Sequence, residues 1–223
     1  EFKDEYANMP VDVQKDEEKG LYYVQKEKKR LYFRKSTPAK KIQKYYRALS
    51  MEQDRRSPHH YFNSVKEVTG KVFVDVGCAE GYSSLEIIEE AKHVYLFEQD
   101  EQWLEAIRAT FEPWQDKVTI VQKYVSDHNS SREQTLDDFF NNQTNEHLFL
   151  KMDIEGAERH ALAGCNNLFQ NCQKLDFAIC TYHLRDDEEV ISAFLDKHNC
   201  TYINQKGFFR HKIRSVVMRG SKK

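Results

Sequence analysis

Short apolar runs alternate along the chain with longer segments in which apolar residues return every third or fourth position. Residues 72–76, 94–97, 118–121, 148–152 and 175–180 form the runs and read as buried strands, whereas 83–91, 101–111, 157–169 and 188–198 carry the helical period. Strand and amphipathic helix in alternation predict βαβ units, and hence an α/β fold with a doubly wound, mostly parallel sheet. The rhythm changes at the end. Residues 201–203 and 215–218 are strand-like and a mainly polar and aromatic stretch separates them, so an antiparallel C-terminal hairpin is expected in place of another crossover helix.

Upstream of the first run the pattern is different. Residues 1–19 are polar and acidic without period, which predicts a mobile lead-in. Residues 21–24 and 31–33 are β-rich and predict a small hairpin. Ser36 or Thr37 can then cap a helix with Pro38 at its first position, and Ile42, Tyr45, Tyr46 and Leu49 follow at helical spacing. The expected organisation is therefore an extension over 1–56 and a main domain over 57–223.

Composition narrows the class. The 223 residues suit one α/β core with an appendage, and 39% hydrophobic with 13% aromatic residues is too apolar for a disordered chain. No apolar run approaches the roughly 18 residues of a membrane helix, and no signal segment precedes the first strand. A soluble cytoplasmic protein without membrane insertion is expected. Cys78, Cys165, Cys172, Cys180 and Cys200 form no C-x-x-C pair, which argues against a disulfide framework or structural zinc. The net charge of −2 conceals a basic stretch, since residues 19–56 hold thirteen Lys or Arg against three Asp or Glu. No nucleic-acid motif accompanies it, so a solvated face is expected and a nucleic-acid partner is not.

Candidate chemistry gathers at the carboxyl ends of the predicted strands. Asp75-Val76-Gly77-Cys78-Ala79-Glu80-Gly81-Tyr82 runs from a buried strand through a turn into a helix. Gly77 and Gly81 let the backbone turn sharply and a ligand lie against it, while the helix start offers unpaired N–H groups. The spacing lacks the G-x-G-x-x-G that close approach to a pyrophosphate uses, which argues against a nicotinamide dinucleotide. The second strand ends at Glu98, about 20 residues after the glycine turn, where an acid can accept both hydroxyls of a ribose. After the third strand, Ser126 or Asp127 lies at the carboxyl end and can bond an adenine amino group, with turn formation as the competing role.

These residues resemble the FkbM-type methyltransferases of the S-adenosylmethionine (AdoMet)-dependent class. The strongest likeness is Lys151-Met152-Asp153-Ile154-Glu155-Gly156-Ala157-Glu158, similar to the family's K-x-D-x-E-G-A-E segment. It is joined by Ser57-Pro58-His59-His60-Tyr61, the segment from Asp75 to Tyr82, Phe97-Glu98 and Thr135-Leu136-Asp137-Asp138-Phe139. The likeness spans roughly residues 57–219 and implies a seven-strand sheet, AdoMet as cofactor and O-methyl transfer to a small-molecule or glycan acceptor. Cys78 and Glu80 depart from the small or amide residues that family members often carry. The expected cofactor contacts are Asp75, Gly77, Cys78, Ala79, Gly81, Tyr82, Glu98, Gln99, Ser126, Asp127 and Asp153.

Methyl transfer from a sulfonium is an in-line displacement, so the protein chiefly aligns the nucleophile and accepts its proton. Lys151, Asp153 and Glu155 alternate along the fourth strand and should share one side, with both carboxylates at the edge where ligands bind. Asp153 would orient cofactor or substrate and Glu155 would take the hydroxyl proton; capping a helix is the competing role. His183, at the end of the fifth strand, is the other candidate base. Asp153, Glu155 and His183 are thus the expected catalytic residues. Together with Glu158 they could hold a hard divalent ion, although a metal-free site is expected. His59, His60 and Tyr61 could close over the cofactor or fill turn and core positions. The main expectation is an O-methyltransferase, monomeric or homodimeric. Its rivals are a nucleotide-dependent oxidoreductase, disfavoured by the missing third glycine, and a catalytically silent nucleoside-binding module whose basic extension binds an anionic partner.

Overall fold

Strand β4 (Val72–Val76) is apolar in every position but one and is buried throughout. Such a run cannot face water on either side, so it takes the middle of a sheet covered on both faces. Alternate residues go opposite ways: Phe73 packs into one core, and Val72, Val74 and Val76 into another. Strands β5 (His93–Phe97), β6 (Val118–Val121), β9 (His147–Met152) and β10 (Lys174–Cys180) run parallel to it. The C-terminal hairpin, β11 (Cys200–Phe209) and β12 (Lys212–Lys222), completes a seven-strand sheet of order β11-β12-β10-β9-β4-β5-β6, with β12 antiparallel to β10. The computed structural model describes residues 2–141, 146–209 and 212–222. The outer ends of the two expected regions, at Glu1 and Lys223, lie outside these.

From β4 the chain moves outward to β5 and β6, then returns to place β9 on the other side of β4. The order therefore reverses between β4 and β9. At such a point the connecting loops part and leave a crevice beyond the strands' carboxyl ends.

Helices cover both faces. On one lie α3 (Tyr82–Ile87) and α4 (Glu101–Phe111), the latter started by Asp100, whose side chain accepts from the Gln102 N–H at 3.0 Å. On the other lie α5 (Leu136–Phe139), α6 (Glu158–Ala163), α7 (Asn166–Asn171) and α8 (Asp187–Lys197). The single helix expected over 157–169 is thus two. A Cβ at Gly164 would lie 2.1 Å from the Ser126 carbonyl oxygen, so the chain bends where it touches that neighbour. Asp137 then accepts from the N–H groups of Asn167 and Leu168 and starts the second helix. A two-residue parallel pair, β7 (Tyr124–Val125) and β8 (Glu133–Gln134), precedes α5.

The acidic start is ordered rather than a lead-in. It forms α1 (Phe2–Ala7) and β1 (Val13–Asp16), and β1 pairs with β2 (Leu21–Lys26), which pairs in turn with β3 (Lys29–Tyr32). The predicted hairpin is therefore a three-stranded antiparallel sheet. Helix α1 is anchored over a long range in sequence: Tyr6 donates to Asp54 at 2.7 Å, and Arg56 makes a two-pronged contact with Glu5. Helix α2 (Ala39–Glu52) follows, but Pro38 occupies its cap position and neither Ser36 nor Thr37 caps it. Leu21, Leu31, Phe33 and Ile42 are fully buried in the same core as Phe73 and the helices α3 and α4. All five cysteines are free, and among the described residues no helix is long and apolar enough to cross a membrane.

Candidate active site

The crevice between β4 and β9 is a cavity of about 640 Å³. Its floor is the turn after β4. Gly77 has φ +78°, and a Cβ there would lie 2.1 Å from the Asp153 carbonyl oxygen; the loops after β4 and β9 touch through glycine backbone. Gly81, with φ +82°, opens α3 and faces the Phe111 ring in the same intolerant way.

Beneath the turn Asp75 and Lys151, register partners on β4 and β9, form a buried ion pair of 2.8 Å. Ser84 also donates to Asp75 at 2.6 Å, and the Lys151 amine donates to the Gly77 carbonyl at 2.6 Å. Burial opposes the ammonium, but Asp75 and Asp153 outweigh it and raise the lysine's pKa. The pair thus locks the loop to both strands.

One end of the cavity is built on β5. Glu98 accepts the N–H of Ala79 at 3.0 Å on one oxygen and that of Asp100 at 2.8 Å on the other. Gln99, Asp100 and Trp103 continue this wall, and Arg34 lies over the Trp103 ring while pairing with Asp100 at 3.3 Å. Glu80, buried in the loop, accepts from the Tyr45 hydroxyl at 2.8 Å. Burial pushes its carboxyl up to about 7, against the opposing pull of that hydrogen bond.

The other end gathers around Asp153. Tyr61 donates to Asp153 Oδ2 at 2.6 Å, and His59 Nε2 stands 3.6 Å from the same oxygen. His183 Nε2 lies 3.5 Å from Asp153 Oδ1. Burial alone would raise the Asp153 carboxyl, yet Lys151, His59 and the Tyr61 hydroxyl hold it below the usual range. For His183 burial works against the cation, and Glu158, Asp153 and Glu155 overcome it and raise its pKa.

Of the residues expected at the site, Asp75, Gly77, Cys78, Ala79, Tyr82, Glu98, Gln99, Asp153 and Glu155 line the cavity. Gly81 shapes the loop from behind, and His183 sits behind Asp153. Ser126 and Asp127 lie outside the wall: Asp127 is engaged by His128 at 2.7 Å and His160 at 3.4 Å, and the lining on that side is Lys123, Tyr124 and Val125. Sequence reasoning missed Arg34, Tyr45, Glu52, Trp103 and Tyr182. Only Tyr182, beside His183 at a predicted strand end, carried a usable signal. Part of the basic extension is committed to internal pairs: Lys19 with Glu112, Lys26 with Glu86, Arg30 with Asp16, Arg34 with Asp100, and Arg56 with Glu5 and Asp54.

A doubly wound sheet, a cavity at its reversal point and an acid at the end of the second core strand define a Rossmann-like α/β ligand-binding domain. The chain belongs to the FkbM methyltransferase family: residues 43–204 match the Methyltransferase FkbM domain.

Solved structures agree on the fold. The methyltransferase FkbM from Methylobacillus flagellatus KT aligns with a TM-score of 0.55 at 16% identity, over 82% of this chain and 55% of that one, so the chain spans about half of that protein's length. Magnesium protoporphyrin IX methyltransferase from Synechocystis PCC 6803, solved with bound SAM, aligns with a TM-score of 0.51 at 12% identity over 84% and 86%. A Streptococcus mutans protein in complex with SAH gives 0.50 at 14% identity over 71% and 93%. Sequence comparison with curated proteins finds no significant match.

Proposed function

We propose that the chain binds S-adenosylmethionine in this cavity and transfers its methyl group to a hydroxyl oxygen of a sugar or other small metabolite. The observation that carries this is the group at the β9 end, where Asp153 is hydrogen-bonded by Tyr61 and flanked by the imidazoles of His59 and His183. The cavity suits the cofactor in size, since small-molecule sites span roughly 300–1,000 Å³. Each Glu98 oxygen accepts one backbone N–H and keeps a lone pair for a ribose hydroxyl. The neighbours solved with SAM and SAH support the same cofactor.

When bound, the cofactor supplies an electrophilic methyl carbon on a cationic sulfur. The chain's own residues must then bring up an oxygen and remove its proton. Asp153, kept in its anionic form by Lys151, accepts a hydrogen bond from the acceptor hydroxyl and orients it. Of the two flanking imidazoles His59 lines the cavity, so His59 joins the predicted pair Glu155 and His183 and takes the proton. Tyr61, with its hydroxyl on Asp153, fixes that carboxylate in place.

The test is a mass-spectrometric search of host metabolites and glycans incubated with enzyme and AdoMet. The expected product carries one added CH₂ on oxygen; a methyl on nitrogen or carbon would remove the hydroxyl acceptor. Calorimetry on the same protein should find that Glu98→Ala weakens AdoMet binding by roughly 1–3 kcal/mol, whereas His59→Gln lowers turnover and leaves that affinity intact.

A further inference from the structure

The loop after β9 sends two carboxylates in opposite directions. Glu155 has φ +56° and Gly156 φ +100°, so the chain doubles over, leaving the Glu155 side chain 92% exposed and Glu158 fully buried. Glu158 accepts from the Ile154 N–H at 2.9 Å and the Gly156 N–H at 3.0 Å, and its Oε1 also lies 2.9 Å from His183 Nδ1. His183 is held against the Tyr182 ring, with centroids 4.1 Å apart and its side chain only 8% exposed. With Nδ1 turned to Glu158, Nε2 faces Asp153 Oδ1 and Glu155 Oε2, each 3.5 Å away. Nε2 makes a directed hydrogen bond to neither, and Nδ1, although 2.9 Å from Glu158 Oε1, is likewise without one. One donor atom from each of Asp153, Glu158 and His183 falls within 4.8 Å of the others.

A buried imidazole with one nitrogen set against a carboxylate and the other presented to further carboxylates is how proteins offer histidine to a metal. A proton on Nε2 can bond only one of the two oxygens in front of it. A cation can draw on both. We propose that Asp153, Glu155 and His183 bind a divalent cation of the magnesium and manganese class, with Glu158 orienting the histidine. Glu158 Oε1 is taken up by both the Ile154 N–H and the nearby His183 Nδ1, on the ring edge away from Nε2, which gives it the supporting role.

Two carboxylates and one imidazole suit a hard or borderline ion. Octahedral ligands at about 2.1 Å from such an ion stand about 3 Å from one another, so the two carboxylates, each 3.5 Å from His183 Nε2, need a closure that brings Glu155 toward Asp153. Exposed Glu155 is free to make it. Asp153 and Glu155 line the cavity, and the remaining coordination positions therefore open toward the acceptor, where the ion would lower the pKa of a bound hydroxyl. That role rests on the O-methylation proposed above; the site itself does not.

The full chain, without cofactor or acceptor, is titrated with Mn²⁺ and the signal of the free ion is followed by electron paramagnetic resonance. One ion per chain should be taken up. His183→Gln and Asp153→Asn should each weaken uptake at least tenfold, and Glu155→Gln severalfold. Because Glu155 is exposed, that variant decides the matter even if the buried ones fail to fold. The site is refuted if the wild type takes up no ion at millimolar Mn²⁺, or if Glu155→Gln binds as the wild type does, which would mark an adventitious ion only. A chain that binds Mn²⁺ here and methylates no hydroxyl would keep the site and lose the proposed reaction.

Discussion

Glu80 stores a pH dependence inside the loop after β4. Its carboxyl is buried, and the fold raises its pKa from an ordinary 4.5 to about 7, so the folded state prefers the protonated form. Stability from this preference is complete below pH 4.5 and is lost as the pH rises through about 7. Urea unfolding at pH 5 and pH 8 should therefore show the wild type weaker at pH 8 by up to about 3 kcal/mol from this group. Glu80→Gln should flatten the decline; equal declines in both proteins would place its cause elsewhere. At this scale the sequence was legible where chemistry is contiguous, as in Asp75 to Tyr82 and Lys151 to Glu158. It was silent on Tyr45, which reaches Glu80 from another element, because no spacing along a chain encodes a contact made only by packing.

The element scale separates periodicity from fit. The strand runs and α4 are where the pattern put them, since each is decided by which residues must leave water. The segment 157–169 has the period of one helix and is built as two. The cause lies outside it, in the Ser126 carbonyl pressed against Gly164 and in the Asp137 carboxylate that starts α7. The first strand of the N-terminal sheet was missed for a similar reason: β1 is a polar edge strand whose pairing with β2 holds it, not an apolar run of its own. Gly164→Ala discriminates the two descriptions. A continuous helix would gain up to about 1 kcal/mol from losing a glycine, whereas the observed contact predicts a loss of about 1–3 kcal/mol from overpacking. Thermal unfolding reads the sign directly.

At the scale of the whole molecule the N-terminal sheet and α2 are a wall of the site. Arg34, Tyr45, Leu49, Glu52 and Gln53 face the cavity, and the core behind them is continuous with the core of α3 and α4. A unit that shares its interior with its neighbour cannot unfold without exposing that neighbour's apolar surface, so the two should melt as one. Phe33, fully buried on the extension's side of this core, is the place to test the coupling. Phe33→Ala should cost about 3–5 kcal/mol. The loss should appear in a single transition, at the same midpoint by far-ultraviolet circular dichroism and by the fluorescence of Trp103 and Trp114, which belong to the Rossmann-like body. Weaker AdoMet binding should accompany it, because the wall that carries Tyr45 and Arg34 opens with the sheet. Two separated transitions, with the tryptophans reporting only the later one, would instead make the extension an independent appendage and leave the Glu98 end of the cavity to the β4 and β5 loops alone.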